Sequence, residues 1–253
     1  MLLKLSGRGL RALGEVSPRP FIGRISTDIA RRGPAEIWLT RDGGELPDGF
    51  RAYLLAISEP VSRARDSYVL GHEFSYLADG DVVRIDPSRG GIDALYRRNS
   101  RSNSLLVTER CNNYCVMCSQ PPREHDDSWR IDDLMQTIPL MSPETREIGI
   151  TGGEPSLLGA RLVDLARHLL RHLPATGVHI LSNGRGFAAG DLAKQLAQLR
   201  HPDLMVGIPL YAEVPERHDY VVQARGAFDE TIRGILNLKR HGVRVELRFV
   251  IHA

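Results

Sequence analysis

The most reactive side chains of this 253-residue sequence lie close together: its three cysteines are Cys111, Cys115 and Cys118, in the run ERCNNYCVMCSQPP. Three thiolates with C-x3-C-x2-C spacing can bind three irons of a four-iron cluster and leave the fourth iron without a protein ligand. Thiolates are the usual protein ligands of iron–sulfur clusters. The spacing therefore indicates a cluster in which one iron is free to bind a reactive molecule.

Two other uses of the cysteines have to be weighed against the cluster. A disulfide would leave one cysteine unpaired, and nothing in the sequence indicates an oxidising compartment. A zinc site of three cysteines and one histidine is also open, because His125 follows Cys118 closely. Zinc knuckles usually place paired ligands at both ends of a small loop. Here the cysteines form a single group that follows an apolar run at residues 104–108.

The composition is that of a soluble globular protein, with 42% hydrophobic and 25% charged residues. The formal net charge of +2 gives no indication of nucleic acid binding. We see no apolar run of transmembrane length and no uninterrupted apolar segment of signal-peptide length near the N-terminus. Together with a reduced cysteine group, these features predict a cytoplasmic protein that does not associate with membranes.

The first hundred residues differ from the rest in their pattern. Short β-prone stretches at residues 36–40, 52–57 and 81–85 alternate with turns rich in glycine and aspartate. No catalytic motif is present in this part. We therefore predict a small β-rich accessory domain over residues 1–102.

From residue 103 onward, apolar strand-like runs alternate with segments of helical periodicity. Five strands are predicted, at residues 104–108, 147–151, 178–181, 204–208 and 243–251. Such alternation is typical of a parallel α/β fold. In these folds, and especially in barrels, the chemistry takes place in loops at the carboxyl ends of the strands.

Three motifs follow predicted strands directly. They are the cysteine motif, the Gly-Gly-Glu-Pro sequence that begins at Gly152, and the Ser-Asn-Gly sequence that begins at Ser182. The Gly-Gly-Glu-Pro and Ser-Asn-Gly sequences are each weak evidence if they are considered alone. Because the carboxyl ends of parallel strands lie at one edge of a sheet, the three motifs should meet there. This shared placement favours the iron–sulfur cluster over zinc.

The cysteine motif after the first strand and GGEP after the second resemble those of the radical S-adenosylmethionine (SAM) superfamily, over residues 103–253. This resemblance implies a partial (β/α)6 barrel. Such a barrel needs one more helix and strand after the fifth predicted strand. We therefore expect a C-terminally incomplete, apparently truncated barrel with an open edge.

The resemblance also implies roles for individual residues. The three cysteines would hold a 4Fe-4S cluster, and S-adenosyl-L-methionine would bind its open iron through amino and carboxylate groups. An electron donor would reduce the cluster, and cleavage of SAM would give a 5′-deoxyadenosyl radical. The other residues implied to bind SAM are Gly152, Gly153 and Glu154 at the methionyl amine, Pro155 in the same motif, and Ser182 and Asn183 near the ribose or carboxylate.

A narrower resemblance is carried by LLVTERCNNYCVMCSQPP, by the segment IPLYAEVPERHDYVVQARGAFDETIRGILNLKR and by VELRFVIH. Together these segments look like the C-type maturase of the His-Xaa-Ser system. The implied partners are a small peptide with His-Xaa-Ser repeats and a second radical SAM protein of the same system. The alternative functions are a non-catalytic metal-binding module and a peptide-recruiting subunit with an incomplete barrel.

Overall fold

The computed structural model describes residues 4–42, 44–57 and 65–249. The described residues fall into two compact units. The first unit contains the described residues within Met1–Ser100 and Gln136–Ser142. The second unit contains the described residues within Arg101–Met135 and Pro143–Ala253. The assignment of residues 1–102 to an accessory domain stays a prediction.

The first unit is built on an eight-stranded mixed sheet with the strand order β1-β8-β7-β3-β4-β5-β6-β2. Its strands are β1 (Ser6–Arg8), β2 (Leu10–Ala12), β3 (Phe21–Ser26), β4 (Gly33–Thr40), β5 (Phe50–Leu55), β6 (Ser67–Leu70), β7 (Val82–Asp86) and β8 (Gly91–Tyr96). The three β-prone stretches of the sequence correspond to β4, β5 and β7. The other five strands were not predicted from the sequence pattern; β1, β2 and β6 have only three or four residues.

The first and last strands of this sheet are consecutive in the chain. Strand β1 pairs with β8 at one edge and β2 pairs with β6 at the other, so one short segment joins the two edges. Gly9 lies between the two strands, and a Cβ at this position would come within 2.3 Å of the Phe74 ring. The fully buried Ile25, Leu54 and Phe74 belong to the core of this unit.

The second unit holds a five-stranded parallel sheet whose strand order follows the order of the chain. Its strands are β9 (Asn103–Leu106), β10 (Glu147–Thr151), β11 (Gly177–Leu181), β12 (Leu204–Leu210) and β13 (Arg244–Phe249). The helices are α1 (Trp129–Thr137), α2 (Ala160–His172), α3 (Leu192–Gln198), α4 (Pro215–Val222) and α5 (Ala227–Arg240). None of the described helices is long and apolar enough to cross a bilayer.

Apolar burial explains why these segments form a mixed α/β structure. Alternate strand residues such as Ile150 and Ile180 are completely buried, and helix α2 turns Leu165 and Leu169 inward. The five predicted strands agree with the structure to within a few residues, although Val250 and Ile251 lie outside the described residues. Helix α4 was not predicted from the sequence.

Candidate active site

A cavity of about 340 Å³ lies at the carboxyl ends of the parallel strands in the second unit. Among the described residues that line it are Cys111, Cys115, Cys118, Gly152, Gly153, Glu154, Ser182 and Asn183. Of the residues that the sequence predicts for the site, Pro155 alone is not among these lining residues. It is buried at the start of a 3-10 turn, Pro155–Leu158.

The cysteine loop is fixed at its beginning by Asp127, which is only 1% exposed. The Asp127 carboxylate accepts hydrogen bonds from Thr108 Oγ1, at 3.0 Å, and from the Glu109 backbone N–H, at 2.6 Å. Arg110 Nε lies 3.4 Å from the same carboxylate. The chain that leads from β9 into the cysteines is therefore held by a buried anion with several partners.

The middle of the cysteine loop is fixed by Arg185, whose side chain is 15% exposed. Arg185 Nη1 donates to the backbone oxygen of Asn112, at 2.5 Å, and to Asn113 Oδ1, at 2.7 Å. Its Nε donates to Glu230 Oε2, at 2.6 Å. Arg185 follows β11 and Glu230 belongs to α5, so one guanidinium connects three segments that are distant in sequence.

The later part of the loop continues onto helix α4. The backbone N–H groups of Tyr114 and Val116 donate to the carbonyls of Val222 and Val221, each at 2.9 Å. These bonds satisfy carbonyls at the C-terminal end of the helix, which have no partners within it. The helix that the sequence did not reveal thus supports the cysteine loop.

The two glycines of GGEP allow a close approach between β10 and the chain that enters the cysteine loop. A Cβ at Gly152 would lie 2.5 Å from the Thr108 carbonyl oxygen, and one at Gly153 would lie 2.2 Å from that of Arg110. The Gly153 and Glu154 N–H groups donate to these same carbonyls, at 2.7 and 2.8 Å. The missing side chains therefore permit backbone pairing between the two motifs.

The Glu154 side chain is completely buried and connects GGEP to the Ser-Asn-Gly motif. Its Oε1 accepts from the Ser156 N–H, at 2.9 Å, and from Ser182 Oγ, at 2.6 Å. Its Oε2 accepts from the Asn183 N–H, at 2.6 Å. Direct contact of Glu154 with a SAM amine stays a prediction, and in the structure the carboxylate is used by three protein donors.

Asn183 completes the connection between the three motifs. Its Nδ2 donates to Asn112 Oδ1 in the cysteine loop, at 2.7 Å. Its backbone carbonyl accepts from Thr231 Oγ1 of helix α5, at 3.0 Å. The structure thus brings together the cysteine, GGEP and Ser-Asn-Gly segments in one hydrogen-bonded framework, as their positions after strands predicted.

The three cysteines form no disulfide, and the surroundings of Cys111 and Cys115 disfavour negative charge. Burial raises the pKa of Cys111 to about 11, and the nearby Cys115 and Cys118 act in the same direction. Burial and the neighbouring Cys118 also raise the pKa of Cys115. Binding to iron requires the thiolate, so assembly of a cluster here would release protons.

The zinc alternative requires His125 as a fourth ligand beside the three cysteines. Within residues 4–42, 44–57 and 65–249, no three His, Cys, Asp or Glu side chains are gathered so that they could hold a single metal ion. His125 Nε2 lies 3.4 Å from Glu109 Oε2, and the side chain is 42% exposed. His125 is not one of the residues that line the cavity.

Residues 105–252 match the family model described as the radical SAM superfamily, and this match covers more than half of the chain. The protein belongs to the radical SAM superfamily. Enzymes of this superfamily use a 4Fe-4S cluster and SAM, and these are the cofactors of this chain.

Three known proteins are similar to part of this one. The GTP 3′,8-cyclase of Desulforamulus reducens (strain ATCC BAA-1160 / DSM 100696 / MI-1) is 31% identical over 106 residues, which are 39% of this chain and 32% of the cyclase. The structure titled "Native anSMEcpe with bound AdoMet" is 17% identical, with a TM-score of 0.43, and the match covers 57% of this chain and 42% of that one. For methylornithine synthase (PylB) the identity is 14%, the TM-score 0.42 and the coverage 58% and 43%. This chain thus spans less than half the length of these relatives, and the similarities do not assign a reaction to it.

The donor set of the cavity fits the two cofactors. Cys111, Cys115 and Cys118 would hold the cluster, because thiolates are its usual ligands and all three side chains line one cavity. The backbone at Gly152 and Gly153 and the residues Ser182 and Asn183 line the same cavity and would hold SAM beside the cluster. When bound, the cofactors would supply the radical chemistry, and these residues would position them.

The residues that hold the loops of this site in place by hydrogen bonds were not predicted from the sequence. Asp127 and Arg185 have no recognisable motif, and only the position of Arg185 immediately after Ser-Asn-Gly gave any signal. Arg248 of β13 and Gly207 of β12 also line the cavity. Pro209 of β12 and Tyr211, which follows this strand, lie there as well.

Proposed function

We propose that this protein is a radical SAM maturase of the His-Xaa-Ser type, which modifies a small ribosomally made peptide. The observation that carries the enzymatic part is the single cavity shared by the three cysteines and the GGEP and Ser-Asn-Gly motifs. The radical would be generated within this cavity and would abstract hydrogen from a substrate group that reaches it. In the proposed fold, the parallel sheet is part of a (β/α)6 barrel and residues 1–102 form the accessory domain.

An open groove beside the cysteine loop supports a peptide as the substrate. It has a volume of about 980 Å³ and its lining includes Val116, Met117, Tyr211 and Tyr220. The side chains of Val116 and Tyr220 are 59% and 70% exposed, which is high for apolar and aromatic residues. Tyr211 also lines the cofactor cavity, so an extended peptide bound in the groove would pass close to it.

The proposal includes several partners. A reductant would donate one electron to the cluster, and a second radical SAM protein would act on the same peptide. The reaction would take place in the cytoplasm, without nucleic acid or membrane partners. The peptide and the second protein follow from the sequence resemblance of the cysteine loop, of the α4–α5 segment and of β13.

The test is coexpression of the chain with a His-Xaa-Ser repeat peptide under anaerobic conditions, followed by mass spectrometry of the peptide. The experiment is done in separate arms with and without the second radical SAM protein. We expect a change in the mass of the peptide that depends on the presence of this chain. The Cys118→Ala variant is the control, because it removes one cluster ligand. An unmodified peptide in every arm, together with cleavage of SAM by the same preparation, would refute the peptide substrate.

A further inference from the structure

One face of the parallel sheet has charged side chains where a buried sheet face would be apolar. Strands β11, β12 and β13 are in parallel register, with Leu181 opposite Gly207 and Gly207 opposite Glu246. Side chains alternate between faces along a strand, so His179 lies on the face of Leu181 and Arg248 on the face of Glu246. This is the face that contributes Leu181, Gly207 and Arg248 to the cofactor cavity.

Three of these side chains form a charged group. Arg248 Nε donates to Glu246 Oε1, at 3.1 Å. His179 Nε2 lies 3.0 Å from Glu246 Oε2, close enough for an ion pair but without hydrogen-bond alignment. The Glu246 carboxylate therefore lies between the His179 ring and the Arg248 guanidinium, and it accepts a hydrogen bond from Nε of Arg248.

Gly207 makes room for this group in the middle of the sheet. A Cβ at this position would lie 2.7 Å from His179 Nε2 and 3.3 Å from Arg248 Nε. The two residues belong to the strands on either side of β12, so only the missing side chain lets them approach each other. The space is thus occupied by polar groups directed from both neighbouring strands.

The electrostatics of the cavity give Arg248 a specific role. Among the described lining residues, Arg248 contributes the cationic side chain, and Glu154 contributes a carboxylate that three protein donors already use. The Arg248 side chain is 43% exposed, and its Nε donates a hydrogen bond to Glu246. Among the described residues, its terminal nitrogens are only weakly engaged, since Nη2 lies 3.5 Å from Glu246 Oε2. A guanidinium in this position suits a carboxylate, which it can bind through two parallel hydrogen bonds.

We infer that Arg248, held by Glu246, is a binding residue for a carboxylate that enters the cofactor cavity. The carboxylate belongs either to SAM or to the substrate, and in the second case the inference rests on the proposed function. If the carboxylate belongs to the substrate, Arg248 selects substrates that present an acidic group near the site of hydrogen abstraction.

The experiment uses the anaerobically reconstituted chain and its Arg248→Gln variant. The matched control is Arg244→Gln, because Arg244 lies on the same strand and face but pairs with Asp203, at 2.5 Å, and does not line the cavity. Dissociation constants are measured for SAM and decarboxylated SAM. They are also measured for a His-Xaa-Ser repeat peptide and for its counterpart in which every carboxylate is an amide. Iron content and the EPR spectrum of the reduced cluster confirm that each variant is loaded.

We expect Arg248→Gln to weaken the binding of one carboxylate ligand about tenfold, as for the loss of a charge-assisted hydrogen bond. The binding of the analogue that lacks the carboxylate should change less than about twofold. The affected ligand, SAM or peptide, identifies the source of the carboxylate. Gly207→Ala, which fills the space between His179 and Arg248, should reproduce the effect with Arg248 still present.

The inference is overturned if Arg248→Gln weakens the binding of neither SAM nor the peptide more than that of the matching analogue without carboxylates. It is also overturned if Arg244→Gln has the same effect as Arg248→Gln. The failure of the proposed function looks different, because the wild-type chain would then neither bind nor modify the peptide. In that case the comparison of SAM with decarboxylated SAM alone decides whether Arg248 binds a carboxylate.

Discussion

Ser182 Oγ donates a 2.6 Å hydrogen bond to Glu154 Oε1, and so joins two cavity loops that are separated by 28 residues in the chain. Both residues are buried, at 5% and 0% exposure. The second carboxylate oxygen accepts from the next residue, Asn183. The two loops that are predicted to bind SAM are therefore fixed to each other by one anion, which reduces the ordering that ligand binding has to supply.

Replacement of Glu154 should destabilise the second unit markedly. In Glu154→Gln, an NH₂ group would face at least one of the three donors, and that donor would lose its acceptor. Buried bonds to a charged group contribute about 1.5–3 kcal/mol each, so we expect a loss of about 2–4 kcal/mol in the free energy of unfolding. Denaturant titration measures the loss. Glu147→Gln is the control, because Glu147, at the start of β10, is exposed and should change stability by less than about 0.5 kcal/mol.

If both Glu154 and Glu147 variants unfold at the same denaturant concentration as wild type, the carboxylate does not hold the two loops together. A large effect of Glu147→Gln would equally contradict this assignment, because its side chain is not buried.

Arg185 should control how firmly the cysteine loop holds its cluster. Arg185→Met removes the donors to Asn112 and Asn113 but keeps an unbranched side chain of similar length. Residues that orient metal ligands typically contribute about 10–100-fold to metal affinity, so we expect about tenfold faster loss of iron to a chelator. The rate of bleaching of the cluster absorbance measures this loss.

The matched control for Arg185 is Arg167→Met, because Arg167 is half-exposed and pairs with Asp164 on the surface of α2. Equal rates of iron loss in wild type, Arg185→Met and Arg167→Met would show that the loop does not depend on the guanidinium.

Gly153 should tolerate no side chain. In Gly153→Ala, the new Cβ would lie 2.2 Å from a backbone carbonyl of the cysteine loop, which cannot rotate away as a side chain can. We expect a loss of about 1–3 kcal/mol in stability, as for overpacked sites, together with a lower yield of cluster. Thermal unfolding and iron content are the measurements.

Gly149→Ala, in the middle of β10, is the comparison for Gly153→Ala. Its Cβ would meet the Ser104 hydroxyl at 2.9 Å, but the nearest backbone atom is 3.6 Å away, so a side-chain rotation relieves the contact. Equal losses for the two alanine variants would argue against backbone crowding at Gly153.

His218 should make the stability depend on pH. It is 1% exposed, and burial lowers its pKa below 6.5, while Asp219 opposes this shift. The unfolded chain therefore binds a proton at His218 more readily than the folded chain. The stabilisation is complete above about pH 6.5 and is lost as the pH falls below this value, by at most about 1.4 kcal/mol per pH unit.

The measurement for His218 is the free energy of unfolding between about pH 5 and 8 in wild type and His218→Phe. Phenylalanine preserves the ring contacts with Tyr211 and Phe228 but cannot be protonated. Burial also lowers the pKa of His168 and His201, so both proteins will depend on pH and only the difference reports His218. Parallel curves for the two proteins would mean that the His218 pKa is the same in the folded and unfolded chain.

The sequence by itself determined the local features of this protein. The cysteine spacing, the apolar runs of β9 to β13 and the periodicity of α2 depend on residues near each other in the chain, and all were predicted. The meeting of the three motifs also followed from the sequence, because the carboxyl ends of parallel strands lie at one edge of a sheet.

Only the tertiary structure decided what holds these motifs in place. Asp127, Arg185 and Glu230 are ordinary charged residues in the sequence, and their hydrogen-bond partners lie up to 73 residues away in the chain. The role of Glu154 as a link between loops, and the approach of His179 to Arg248 across Gly207, likewise depend on strand register. Such contacts are determined by packing between distant segments, and periodicity and motif spacing carry no information about them.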